Sequence, residues 1–203
     1  PEVKLDDVIV ETPYGVQYIS GCSGIEKALA YDHAEKILLQ QKLAECAARA
    51  DLILVDTGAG LGRNVMDFIL AADEVLLVTT PEPTSLTDAY AVMKAYSIYA
   101  SQKNLRLIIN RVYESKESRE VALKLQRAAE KFLHMKVPCL GYVFEDTAVT
   151  KAVRRQAPLL KEAPHAAAAR CIDALAEALL TGSEMGVKRG WKGFLQQIFK
   201  FST

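Results

Sequence analysis

The sequence lacks several features that would point directly to a function. Its four cysteines, Cys22, Cys46, Cys139 and Cys171, form no C-x-x-C pair, which leaves a zinc or iron–sulfur site without support. Basic and acidic side chains both number 25, so the net charge is zero and no overall field attracts nucleic acid. No apolar run approaches the length of a spanning helix, and no signal peptide is recognisable. We therefore expect a cytoplasmic protein with reduced thiols and no specific nucleic-acid partner.

A phosphate-binding loop of the form G-x-x-x-x-G-K-[ST] is also absent from the 203 residues. Residues 51–60, however, read Asp-Leu-Ile-Leu-Val-Asp-Thr-Gly-Ala-Gly, in which four apolar residues lead into Asp56 and a glycine-rich turn follows. This pattern predicts a buried parallel strand at 52–55 that brings a carboxylate to the ligand-binding edge of an α/β sheet. In nucleotide-hydrolysing proteins such an acid holds Mg²⁺ or its water. The alternative is that Asp56 only caps the turn.

Strand-like and helix-like segments alternate along most of the chain. The connections between the strands are too long for hairpins, apart from a turn at 12–15, which is typical of parallel pairing. We therefore predict an α/β fold, a three-layer, mostly parallel twisted sheet with helices on both faces. The predicted elements are strands at 8–10, 16–19, 52–55, 74–80, 105–109 and 137–143, and helices at 32–50, 64–72, 84–101 (capped by Thr84 or Ser85), 116–134, 147–155 and 165–180.

The C-terminal residues 186–203 differ from the rest and follow a boundary at 181–183. They contain four cationic and no acidic side chains, and five apolar residues recur at the spacing of one helix face. Gly190 and Gly193 weaken a helix in water, so the segment is typical of an amphipathic helix that folds on an anionic membrane. Docking on the protein's own core is the alternative. The residues predicted to contact the membrane are Lys188, Arg189, Trp191, Lys192, Phe194, Leu195, Ile198 and Phe199.

Three segments in order, Asp51–Gly60, Ala71–Val75 and Val78–Tyr90, resemble the MinD/ParA-type (SIMIBI) P-loop ATPases, in particular the flagellar-number regulators FlhG, YlxH and FleN. Ile109–Val112 and Leu140–Asp146 agree with this resemblance, as does the amphipathic tail. The resemblance implies a MinD/ParA-like ATPase domain over 1–181 without its P-loop part, then a membrane-targeting tail over 186–203. It also implies an ATP-dependent homodimer on the inner face of the cell membrane, a GTPase partner of the signal-recognition type (FlhF), and control of flagellar number or placement.

The resemblance further implies roles for individual residues. Asp56 would be the catalytic switch acid and would hold Mg²⁺ through water. Gly58 and Gly60 would form the turn that senses the γ-phosphate of ATP. The remaining predicted site residues bind the base of ATP or ADP: Asn110 by a hydrogen bond to adenine, Arg111 beside it, and Phe144 and Asp146 on a loop that closes the base pocket.

The family's phosphate loop would precede Pro1. Three explanations stay open: the N-terminal part lies outside these residues, it was cut away, or the protein is a degenerate relative; we favour the first two. We expect these 203 residues alone to bind nucleotide poorly, because nothing in them supplies the anion cradle. The competing functions are a nucleotide-free interaction module and a cell-division or DNA-partition ATPase of the same family; the last needs a basic DNA-binding surface.

Overall fold

The computed structural model describes residues 9–20, 41, 44–45, 48–100 and 104–181. The chain divides between Gly58 and Ala59 into two compact units. Across the described ranges, no helix is both long and apolar enough to cross a bilayer. In chain order the elements are β1 (Ile9–Glu11), β2 (Gln17–Ile19), α1 (Arg63–Ala71), β3 (Val75–Thr79), α2 (Pro83–Tyr99), β4 (Leu105–Val112), α3 (Ser115–Leu133), β5 (Cys139–Phe144), α4 (Thr147–Arg154), α5 (Leu159–Glu162) and α6 (Ala167–Thr181).

The first unit contains an antiparallel hairpin of β1 and β2, in which Ile9 pairs with Ile19. Thr12 closes the turn, because its hydroxyl donates to the Val16 carbonyl at 2.8 Å and its Oγ1 accepts the Val16 N–H at 3.2 Å. Gly15 has a φ of 76°, a conformation that glycine adopts without strain. The two short strands and the turn at 12–15 are therefore confirmed for the residues described.

The run Leu52–Val55 is neither a strand nor buried, so the predicted strand at 52–55 is wrong. Its four side chains are 39–74% exposed, and no described residue forms a strand ladder with it. A buried parallel strand depends on a hydrogen-bonded neighbour and on helices that cover its faces. Apolar composition supplies neither of these, and the run remains an exposed apolar segment of the first unit.

The second unit is built on a parallel sheet in which the described strands have the order β3–β4–β5. Helices α2 and α3 connect these strands and pack against each other, and α6 packs on β5. The core centres on β4, whose Leu105, Leu107, Ile109 and Val112 are at most 1% exposed. Burial of such a side chain stabilises the fold by roughly 1.5–3 kcal/mol. The predicted α/β class is confirmed.

Strand β4 continues to Val112, beyond its predicted end at Ile109. Its register with β5 shifts between these two residues, so Asn110 and Arg111 form a bulge. Arg111 has a left-handed φ of 58°, and its N–H donates to Oδ1 of Asn110 at 2.9 Å. The side chain of Asn110 thus satisfies an amide that lies outside the ladder. The strand bends at Asn110 and Arg111 and does not end there.

Helix α2 begins at Pro83, and the prediction that Thr84 or Ser85 caps it is wrong. Its N-cap is Glu82, without a side-chain hydrogen bond, since Pro83 lacks an N–H and already has a helical φ. The Ser85 hydroxyl instead bonds back to the end of β3. Its oxygen accepts the Thr80 N–H at 3.1 Å and shares a 2.9 Å hydrogen bond with Oγ1 of Thr79.

The other predicted helices of the second unit occur within two residues of their expected bounds. The short helix α5 was not predicted, because four residues carry too little periodicity to recognise. Most of the predicted helix at 32–50 lies outside the described residues, as do the glycine-rich loop after Ser20 and the whole tail at 186–203. These remain predictions.

Candidate functional site

The carboxyl ends of the three parallel strands meet at one edge of the sheet, where open α/β folds bind ligands. A cleft of about 270 Å³ lies at this edge. Residues from the ends of all three strands and from the first turn of α3 form its walls. They are Thr80, Pro81, Glu82, Arg111, Tyr113, Glu117 and Glu145.

Arg111 connects the three strand ends. Its Nε donates to Oε2 of Glu145 at 2.6 Å, and its Nη1 lies 3.9 Å from Oε1 of Glu82. The hydrogen bond and the charge of Glu145 raise the pKa of the Arg111 guanidinium above its usual value. Because the arginine is exposed to solvent, these ion pairs contribute little to stability. They connect the loops after β3 and β5 to the bulge of β4.

The lining of the cleft is rich in carboxylates, since Glu82, Glu117 and Glu145 line it together with a single guanidinium. Oε2 of Glu117 also accepts the Tyr113 N–H at 3.0 Å, which fixes the start of α3. A lining of this charge disfavours a phosphate group and suits a neutral polar one. Thr80 also lines the cleft, but its Oγ1 is buried beneath the surface and has no hydrogen-bond partner among the described residues.

The four predicted base-pocket residues are only partly brought together. Arg111 lines the cleft and Asn110 precedes it on the bulge, but Phe144 lines a separate groove between β5 and α6. Phe144 packs edge-on to Tyr142 with ring centroids 5.1 Å apart. Neighbouring strand residues point to opposite sides of a sheet, so the cleft receives Glu145 in place of Phe144. The alternation along β5 was the signal that indicated this.

Asp146 is the N-cap of α4 and joins two helices. Its Oδ1 accepts the Ala148 N–H at 2.9 Å, and its Oδ2 accepts the Ala168 N–H at 3.2 Å at the start of α6. These backbone donors lower the pKa of the Asp146 carboxyl below its usual value, with a smaller contribution from Lys151. Both carboxylate oxygens of Asp146 thus already accept backbone hydrogen bonds. Contact between Asp146 and the base remains a prediction.

Asp56 and the two glycines lie in an exposed stretch without helix or strand. Gly60 has a φ of 105°, which residues with a side chain rarely adopt, and Gly58 has open space around it. Within the described part of the chain, no group of three His, Cys, Asp or Glu residues could hold a metal ion. Mg²⁺ in nucleotide sites takes one or two carboxylates together with phosphate oxygens and waters, so a single acid is compatible with that chemistry.

The sequence reasoning did not predict most residues of the cleft wall. Thr80 ends the predicted strand at 74–80 and Glu82 follows it in the segment that carries the family resemblance, but neither was predicted to line a site, and Tyr113 carried no pattern. The available signal was position, because Thr80, Pro81 and Glu82 end or directly follow one predicted parallel strand and Glu145 lies just past another. The missed residues are Thr80, Pro81, Glu82, Tyr113, Glu117 and Glu145.

Solved structures that are similar to this chain include MinD proteins. MinD from Pyrococcus horikoshii, solved complexed with Mg-ADP, aligns with a TM-score of 0.64 and 26% identity, covering 92% of this chain and 72% of that one. The MinD cell division protein of Aquifex aeolicus aligns with a TM-score of 0.66 and 20% identity, covering 92% and 73%. The fold class is therefore that of the P-loop NTPase-like α/β proteins.

Sequence comparison leads to the same class, although no protein-family model matches. The flagellum site-determining protein YlxH of Helicobacter pylori is 34% identical over 206 residues, covering 98% of this chain and 69% of YlxH. The antiactivator FleN of Pseudomonas aeruginosa is 32% identical over 174 residues, covering 86% of this chain and 62% of FleN. The chain belongs to the MinD/ParA family of ATPases, close to FlhG. It spans less than two thirds of the length of FleN.

Proposed function

We propose that this protein is a MinD-like ATPase that regulates flagellar number or placement. The observation that carries the proposal is the cleft at the carboxyl edge of a MinD-like sheet, in a chain with relatives named FleN and YlxH. The nucleotide is ATP or ADP, bound with Mg²⁺ as in the MinD structure that was solved complexed with Mg-ADP.

The residues of the cleft fit the base end of a nucleotide. The acid-rich wall disfavours phosphates, and the cleft is small, since pockets for drug-sized ligands occupy roughly 300–1,000 Å³. Oδ1 of Asn110 is engaged by the Arg111 N–H, which leaves the amide nitrogen of Asn110 to donate to adenine. Asp56 orients Mg²⁺ or its water, and Gly58 and Gly60 respond to the γ-phosphate. Bound Mg²⁺ neutralises charge that develops on the phosphates.

The nucleotide cycle controls a homodimer and its place in the cell. The basic amphipathic tail binds an anionic membrane weakly as one copy, and two linked copies bind more tightly because the second insertion is intramolecular. ATP-dependent dimerisation thereby controls occupancy of the inner face of the cell membrane. The partner is a GTPase of the signal-recognition type, FlhF. Support comes from family membership and from the composition of residues 186–203.

The central test removes the switch acid. In the full-length protein, Asp56→Ala should lower ATP turnover about 100-fold or more, because the group that orders Mg²⁺ at the phosphates is lost. The matched control is Asp51→Ala, which removes another exposed acid of the same segment and should leave turnover unchanged. Steady-state phosphate release and circular dichroism on both variants provide the measurement.

Normal turnover in Asp56→Ala would remove Asp56 from its catalytic role.

A second candidate function is a nucleotide-free interaction module, and the exposure of all four apolar side chains of Leu52–Val55 favours it. An exposed apolar run of this kind is typical of a surface that binds another protein. Calorimetry with Mg-ATP on the full-length wild type distinguishes the two functions. Heat of binding supports the ATPase, and its absence supports the interaction module.

A further inference from the structure

Tyr113 is the most exposed of the large hydrophobic and aromatic side chains that the structure describes, at 76%. It directly follows β4 and lines the cleft at the carboxyl edge of the sheet. Its N–H donates to Oε2 of Glu117 at 3.0 Å, which holds the backbone that carries the ring. In the described part of the chain, its side chain takes part in no hydrogen bond and no aromatic pair. The ring is therefore anchored at its backbone and accessible to a ligand.

The electrostatics of Arg111 agree with this position of the Tyr113 side chain. Glu145 is the main cause of the raised pKa of the Arg111 guanidinium, through its hydrogen bond and its charge, and the Tyr113 phenol is a minor cause. Such an influence requires that the phenol and the guanidinium lie near enough to interact. Both side chains belong to the lining of the same cleft.

The other walls restrict what can lie against the ring. Glu82, Glu117 and Glu145 give the cleft an excess of negative charge, which disfavours a phosphate group. Carboxylates accept hydrogen bonds and do not donate them, and adenine presents an exocyclic amine that donates. An accessible aromatic ring beside acceptor groups thus matches a flat base with an amine at its edge.

We propose that the Tyr113 ring stacks on the base of the nucleotide bound in this cleft. The inference rests on the proposed function, because it requires that the cleft receives the base. Stacking needs an accessible ring and a planar ligand, and every nucleotide base offers a planar face. Tyr113 therefore contributes to the affinity for ATP and contributes nothing to the affinity for the phosphates alone.

The test measures binding to the full-length protein by isothermal titration with two probes, Mg-ATP and inorganic tripolyphosphate, which lacks a base. Tyr113→Ala should weaken Mg-ATP binding about tenfold, as expected for one lost stacking contact, and should leave tripolyphosphate binding unchanged. Tyr113→Phe keeps the ring and should retain the affinity for Mg-ATP within about twofold. The matched control Tyr99→Ala removes a tyrosine that is 63% exposed at the end of α2, and it should bind both probes as the wild type does.

A further variant separates stacking from simple apolar contact. Tyr113→Leu keeps an apolar side chain without an aromatic face, so it should weaken Mg-ATP binding nearly as much as Tyr113→Ala. The melting midpoint of Tyr113→Ala should stay within about 2 °C of the wild type, because changes at exposed side chains affect stability little.

The possible results separate a failure of the inference from a failure of the proposed function. Wild-type protein that takes up no Mg-ATP would overturn the proposed function. If the wild type binds Mg-ATP, three results would overturn the inference alone: equal affinity in Tyr113→Ala, an equal loss for both probes, or full affinity in Tyr113→Leu.

Discussion

At the residue scale, Asp146 shows how one carboxylate positions two helices. Its two oxygens accept N–H groups at the starts of α4 and α6, which otherwise lack partners within their own helices. Both helices follow β5, so the carboxylate fixes the loop that also carries Glu145 into the cleft. The sequence indicated an acid before a helix at this point. It could not indicate the contact with the second helix, because the Ala168 N–H lies 22 residues further along the chain.

The Asp146 contacts predict a pH-dependent contribution to stability. The pKa of Asp146 is lowered in the folded protein, so the stabilisation is present above the unfolded pKa, about 3.9, and is lost as pH falls through the folded value. Asp146→Asn should therefore be less stable than wild type at pH 7, and this difference should shrink towards pH 3. Urea unfolding at both pH values measures it. Asp173→Asn, an exposed change on α6, should show a much smaller difference, and an equally large one there would contradict the assignment.

At the element scale, the helices and the strands β3 to β5 could be predicted because their apolar patterns are local and their partners follow within the same chain segment. Strand 52–55 could not, since the burial of an apolar run depends on neighbours that its own residues do not encode. The bulge at Asn110 and Arg111 was missed for a related reason. Its register shift is a property of the β4–β5 pair, and neither strand shows it alone.

Strand β5 and helix α6 approach each other closely at Gly141. A Cβ at this position would lie 2.8 Å from Cδ2 of Leu175, so the Leu175 side chain would have to move. We expect Gly141→Ala to lower the free energy of unfolding by about 1 kcal/mol or more, because the contact with Leu175 adds to the strain of a φ of 158° for a residue with a side chain. In the background Leu175→Ala, the same substitution should cost clearly less, since the clashing atoms are gone. Chemical denaturation of the four proteins measures the coupling, and an equal cost in both backgrounds would show that Leu175 is not the obstacle.

At the scale of the whole molecule, the family could be recognised from short segments, whereas the composition of the cleft could not. Glu82, Arg111 and Glu145 are about thirty residues apart in the chain and meet because parallel strands end at one edge. The sequence predicted that edge from the order of strands and helices. Which side chains turn into the cleft depends on alternation along β5, which the sequence carries, and on the bulge of β4, which only the pairing of β4 with β5 fixes.

The membrane tail is the feature that would join the nucleotide cycle to a position in the cell. Its residues lie outside the described part of the structure, so the prediction rests on the composition of 186–203. The double variant Trp191→Glu with Phe194→Glu should lower binding of the full-length protein to phosphatidylglycerol-containing vesicles about tenfold or more. It removes two aromatic side chains from the apolar face, each worth on the order of 1 kcal/mol or more at an interface, and adds two charges that anionic lipid repels.

A matched double variant separates apolar insertion from simple attraction between charges. Gln196→Glu with Gln197→Glu adds the same two charges to the tail outside the five apolar positions, so it should retain most of the vesicle binding at moderate salt. Co-sedimentation of both variants at two salt concentrations makes the comparison. If the two variants lose binding equally, and salt abolishes binding of the wild type, the tail is held by charge alone. An amphipathic helix inserted through Trp191 and Phe194 would then be excluded, and the tail would not sense dimerisation by insertion.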